Sequence, residues 1–172
     1  MHKKSNIKKY FFISLLVCGG STFQARAAES AQITFSMNVP TPTCSVSVVS
    51  SRNLGTLEKG EQEHSDFPVS VTCSGSVRHA LTAEPVVRRG LQSDNERIFV
   101  PIGGRSPSGA GPFLSLRDAA GSTIKLTGKN SDAFCTSTDD DGSCYITPVT
   151  EMTESSPVGE GSVAIRFNLI YT

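Results

Sequence analysis

The stretch Val163-Ala164-Ile165-Arg166-Phe167-Asn168-Leu169-Ile170-Tyr171-Thr172 decides how this chain is read. Its odd positions are all apolar: Val163, Ile165, Phe167, Leu169 and Tyr171. The even positions between them are mostly polar or small. Period-two alternation over a full strand length buries one face and leaves the other wet. The strand runs to the last residue with no turn signal behind it. One of its edges is therefore expected to be met by an earlier segment, by another chain, or by nothing.

A second alternating stretch lies far upstream: Ala31, Ile33, Phe35, Met37 and Val39, interleaved with Gln32, Thr34, Ser36 and Asn38. Pro40 and Pro42 follow at once. Each removes a ladder donor, so this strand is decoupled from whatever begins at Cys44. The chain thus carries a detachable strand near one end and a strand in need of a partner at the other.

Ahead of both, Lys3, Lys4, Lys8 and Lys9 form a basic region followed by the apolar run Tyr10 to Val17. Ala25-Arg26-Ala27 supplies a small-x-small cleavage site, so residues 1–27 read as a secretory signal peptide. The apolar run falls short of the roughly 20 residues that span a bilayer. Removing residues 1–27 takes five of the sixteen basic residues and none of the sixteen acidic ones, leaving eleven against sixteen. No basic patch remains to neutralise phosphates, which excludes nucleic acid as a partner class.

Export also governs the cysteines. Cys44, Cys73, Cys135 and Cys144 remain, and an even count in an oxidising compartment reads as two disulfides. Four cysteines allow three connectivities; proximity in sequence favours Cys44–Cys73 and Cys135–Cys144. The chain-entropy relation gives such loops roughly 3.6 and 2.7 kcal/mol. No CxxC spacing or His pair marks a metal site.

Between these landmarks, Cys44 to Val49 and Phe67 to Cys73 alternate as framework strands, with both cysteines on the apolar parity. Asn53 to Gly60 is a turn-rich crossing with a charged surface through Glu63 and His64. Ala80 to Val87 reads as a strand that Pro85 places at an edge or an end. Arg97 to Ile102 is a further short candidate, and Gly103 to Pro112 a loop. Phe113 to Arg117 and Thr123 to Leu126 read as two arms of a hairpin. Asp141-Gly142 reads as a turn, followed by a short strand from Tyr145 to Val149. Short strands between Gly, Ser and Asp turns, without 3.6-residue periodicity, predict an all-β sandwich.

The residues that invite catalysis do not assemble into it. His64-Ser65-Asp66 holds the triad residue types, but neighbours on a strand point to opposite faces and form no relay. Gly103-Gly104-Arg105 lacks the Lys-Ser/Thr of a phosphate loop. Asp139 to Asp141 lacks the alternation of a calcium loop, and Arg88-Arg89 is a solvated surface pair. No cofactor, metal or enzymatic activity is expected.

Together the features resemble the pilus subunits of the chaperone–usher pathway. The resemblance rests on the alternating extension before the first cysteine, on Leu54-Gly55 and Gly60 after it, and on the second cysteine closing the strand Phe67 to Thr72. Most specific are Gly159, fourteen residues from the end, and the penultimate Tyr171. One departure is Met37, where such subunits commonly carry glycine; a second is the additional pair Cys135 and Cys144. The resemblance implies an incomplete immunoglobulin-like sandwich, residues 44–172, lacking its last strand. It also implies a minor or adaptor subunit that passes through the periplasm to a cell-surface fimbria.

Its implied partners are a periplasmic chaperone, an outer-membrane usher and neighbouring pilus subunits. Residues 28–43 would form the donor-strand extension, presenting Ala31, Ile33, Phe35, Met37 and Val39 to the next subunit. Gly159, Val163, Ile165, Phe167, Leu169, Tyr171 and Thr172 would form the strand that chaperone and donor engage. The Thr172 carboxylate would sit in a basic chaperone cleft. An alternative is a single-domain adhesive subunit that meets a host receptor through the acidic loop 135–144.

Overall fold

A computed structural model describes residues 33–39, 41–105 and 110–172. Residues 1–27, expected to be a signal peptide, and Ala31 with them, lie outside the described residues. Residues up to Asn38 form one unit and Val39–Thr172 another. The described residues of the second unit hold nine strands: β1 Cys44–Val48, β2 Gly60–Glu63, β3 Phe67–Cys73, β4 His79–Pro85, β5 Arg97–Phe99, β6 Phe113–Arg117, β7 Phe134–Ser137, β8 Asp141–Met152 and β9 Ile165–Tyr171. The helical content of the described residues is one 3-10 turn, Asn130–Asp132.

Two sheets result. The larger runs β1-β3-β8-β6-β5, with β2 also on β8; the smaller runs β7-β4-β9. The pairings between these strands are antiparallel. The core lies between the sheets. Val69, Val71, Leu114, Leu116 and Ile146 face it from one side, Leu81 and Ala83 from the other. In immunoglobulin terms the sheets are A-B-E-D and C-F, with β1, β3, β8, β6, β4 and β9 in those places. The predicted all-β sandwich is the fold observed.

β8 is the spine, and it is much longer than the predicted strand from Tyr145 to Val149. It begins at Asp141, so Asp141 and Gly142 pair with Thr72 and Val71 and do not turn the chain. The ladder with β3 overrides the local preference of Asp-Gly, which is a weak bias against a full set of strand hydrogen bonds. The sequence predicts β2 only as part of a turn-rich, charged crossing. It carries no apolar residue, yet pairs along its whole length with the far half of β8.

β2 and β3 follow one another along the same edge of β8. Glu63 stands opposite Val149 and Phe67 opposite Ile146, four steps against three, so one extra residue is inserted between them. His64-Ser65-Asp66 is thus a β-bulge, with Ser65 and Asp66 exposed. His64 Nε2 and Thr150 Oγ1 share a 2.8 Å hydrogen bond, while Arg52 donates to the carbonyl and hydroxyl oxygens of Ser65.

The predicted hairpin after Phe113 forms only its turn and first rungs. Asp118 accepts from the amides of Ala120 and Ser122, and Ile124 N–H donates to Leu116 O at 2.8 Å. The second arm then leaves the sheet. Leu126 N–H donates to Asn95 O, and the buried side chains of Ile124 and Leu126 close one side of the core. Burying two large apolar groups outweighs one more pair of rungs.

Candidate functional site

β9 has β4 on one edge, and among the described residues no strand lies on the other. That free edge is the place of strand G in the immunoglobulin arrangement. The hydrogen bonds flanking the β4–β9 ladder fix which groups face it. Val86 N–H donates to Ala164 O, and Thr172 N–H to Arg78 O. Hydrogen-bonded pairs alternate along an antiparallel ladder, so Arg166, Asn168 and Ile170 direct their backbone groups at β4. Ile165, Phe167, Leu169 and Tyr171 direct theirs outward.

The first three of those residues also send their side chains to the core side, and there the sandwich is unfinished. Ile165, Phe167 and Leu169 pack against the core cluster but stay only half-buried, as does Val163 just before the strand. Phe167 is the centre of an aromatic group, edge-on to Phe67 at 6.2 Å and to Phe134 at 6.5 Å. A strand with unpaired backbone and a half-covered apolar face is a ready template for another strand.

The opposite wall of this opening is β1, the edge strand of the larger sheet. Ser74 N–H donates to Thr43 O. By the same alternation, Cys44, Val46 and Val48 turn their backbone groups away from β3. Cys44 stands opposite Cys73 as a non-hydrogen-bonded pair, and a disulfide joins them across a Cα separation of 4.0 Å. The second disulfide, Cys135–Cys144, crosses from β7 in one sheet to β8 in the other. The acidic residues Asp139 to Asp141 lie exposed in the connection it closes.

The other sequence-predicted residues fall as follows. Tyr171, expected on the buried face, is 53% exposed. Among the described residues no strand lies beyond β9 to cover it, and its hydroxyl accepts a 2.9 Å hydrogen bond from Cys44 N–H. Gly159 is not on the strand but in the loop before it, at φ 134°, where a Cβ would lie 3.0 Å from Ile102. Ile33, Phe35, Met37 and Val39 are 73–82% exposed and form no strand. Val46 and Phe134 complete the walls; the sequence does not mark them, because the alternation around Val46 reads the same in an interior or an edge strand and Phe134 lies in no alternating stretch.

Sites for chemistry are not built among the described residues. The sulfurs of Cys44 and Cys73 lie with a His79 nitrogen within 4.8 Å of one another, but both are spent in the disulfide, and His79 Nδ1–H donates to Val77 O. A shallow cleft beside Tyr145 includes Glu63 and Arg117, and that guanidinium is committed to Glu61 and Glu63.

The geometry therefore defines an immunoglobulin-like sandwich in which β9 is open on one edge, and its fold is similar to that of a solved structure. The chain superimposes on the P pilus rod subunit PapA with a TM-score of 0.53 at 16% identity, covering 75% of this chain and 99% of that one. The structure of a chaperone–usher pilus, described as revealing the basis of rod uncoiling, aligns at a TM-score of 0.48 and 19% identity over 85% and 98% of the two chains. No family model and no curated protein matches the sequence.

Proposed function

We propose that this protein is a structural, non-catalytic subunit of a bacterial surface pilus, assembled by donor-strand exchange through a periplasmic chaperone and an outer-membrane usher. One observation carries the reading: β9 turns the backbone of Ile165, Phe167, Leu169 and Tyr171 to a free edge while the side chains of the first three stay half-covered. A strand laid on that edge completes both the ladder and the core. This is β-augmentation, in which main-chain hydrogen bonds give affinity and alternate side chains give specificity.

Residues 31–39 have the form of the strand to be donated. Burying Ile33, Phe35, Met37 and Val39 in a neighbour contributes about 1.5–3 kcal/mol each, roughly 6–12 kcal/mol before ordering costs. Completing an unfinished fold drives such assembly without a nucleotide. Residues 28–43 would act as the extension and 44–172 as the acceptor domain.

The test is deletion of residues 28–39 in a cell that makes the matching chaperone and usher. The truncated chain is expected to co-purify with the chaperone and to be missing as a donor from surface fibres. Loss of chaperone capture on this deletion would make the segment a strand of its own domain and overturn the reading.

A further inference from the structure

We infer that the Tyr171 hydroxyl is an end-stop: it closes one end of the opening between β1 and β9 and so sets the register of a strand that enters. The inference rests on the strand-acceptor reading above and adds the residue that positions the incoming strand.

The alternation of hydrogen-bonded pairs turns Cys44 N–H to the free edge of β1, away from β3. A strand entering between the sheets would find it available, but the Tyr171 hydroxyl already accepts it at 2.9 Å. Both ends of this bond are held. Cys44 is tied to Cys73 by the disulfide, and the chain beyond Tyr171 is pinned by Thr172 N–H donating to Arg78 O at 3.1 Å. The ring is half-exposed, so core burial does not account for its position; the hydrogen bond does. The bond joins the edge of one sheet to the edge of the other, across the path of any strand between them.

The consequence is a ladder of defined length. Ile165, Phe167 and Leu169 lie on the open side of the bond and offer their backbone groups freely. Passing Tyr171 requires breaking the bond to Cys44. An incoming strand therefore stops there, and its apolar side chains fall opposite fixed positions of β9.

The oxidised mature chain, native and Tyr171→Phe, is refolded with synthetic peptides of residues 31–39, 28–39 and 31–42. Amide hydrogen exchange is followed by NMR and peptide dissociation by competition. In the native chain before peptide is added, the Cys44 amide is expected to exchange at least tenfold more slowly than that of Val48, which faces the same edge without such a partner. Comparable rates overturn the latch with no variant needed. In Tyr171→Phe the Cys44 amide should exchange at least tenfold faster than in the native chain.

The native chain should release all three peptides at the same rate, while Tyr171→Phe should release one of the longer two several-fold more slowly. Length dependence already present in the native chain, or absent from the variant, overturns the register role. If neither chain binds any peptide, the strand-acceptor reading falls and the end-stop with it. That outcome differs from the failures above because no β9 amide then gains protection.

Discussion

Gly161 is the residue on which the approach to β9 turns. It bridges to Ile102, and a Cβ there would lie against the Ile102 side chain and 2.7 Å from the Pro101 carbonyl oxygen. A backbone oxygen cannot move aside as a side-chain tip can, so Gly161→Ala should overpack the site by about 1–3 kcal/mol. Gly142→Ala is the matched control, with open space at its Cβ position, and should stay within about 0.5 kcal/mol. Urea unfolding of the strand-complemented protein compares the two; equal effects would remove the packing argument. His64 gives a second residue-scale prediction. Burial first, and then the charge of Arg52, holds its pKa below the ordinary 6.5. The unfolded chain then binds the proton more readily, so this contribution is complete above about pH 6.5 and fades as pH falls through that value toward the folded pKa. His64→Gln should flatten the fall in urea midpoint between about pH 7.5 and 5.5; an unchanged slope counts against it.

At the scale of elements, legibility followed side-chain contrast. β1, β3, β4, β6 and β9 were readable because each alternates or runs apolar beside a core. β2 was not, since Gly-Glu-Gln-Glu contains nothing to bury and forms only because β8 offers an edge. The start of β8 and all of β7 were hidden behind Asp-Gly and the cysteine spacing, which carry local turn and crosslink signals but no information about a distant partner. Of the opening, only the alternation of β9 was legible; its second wall, β1, required the pairing pattern. β2 can be tested as a true strand. His64 N–H donates to Pro148 O, so the alternation directs Gln62 N–H at Thr150 and Glu61 N–H away from β8. Gln62→Pro should then cost roughly 1–3 kcal/mol for the lost ladder bond, and Glu61→Pro clearly less. Equal losses would show that the ladder does not hold this segment.

For the whole molecule, the core is covered unevenly by its two sheets. The inward residues Val69, Val71 and Ile146 of the larger sheet are fully covered. The smaller sheet ends at β9, where Phe167 closes the aromatic group with Phe67 and Phe134 yet keeps part of its surface in water. Truncating a fully buried phenylalanine costs about 3–5 kcal/mol, because transfer and cavity contributions add. A half-covered ring forfeits only part of that, since the vacated space opens to solvent. Phe167→Ala should therefore destabilise the oxidised chain alone by less than it destabilises the same chain with a strand bound. The difference between those two losses is the coupling between Phe167 and the added strand, as in a double-mutant cycle. Guanidinium unfolding of native and variant chains, with and without saturating strand, gives all four corners. A coupling of about 1 kcal/mol or more in the stated direction is expected; the same loss in both states would mean that the added strand does not complete the core around Phe167.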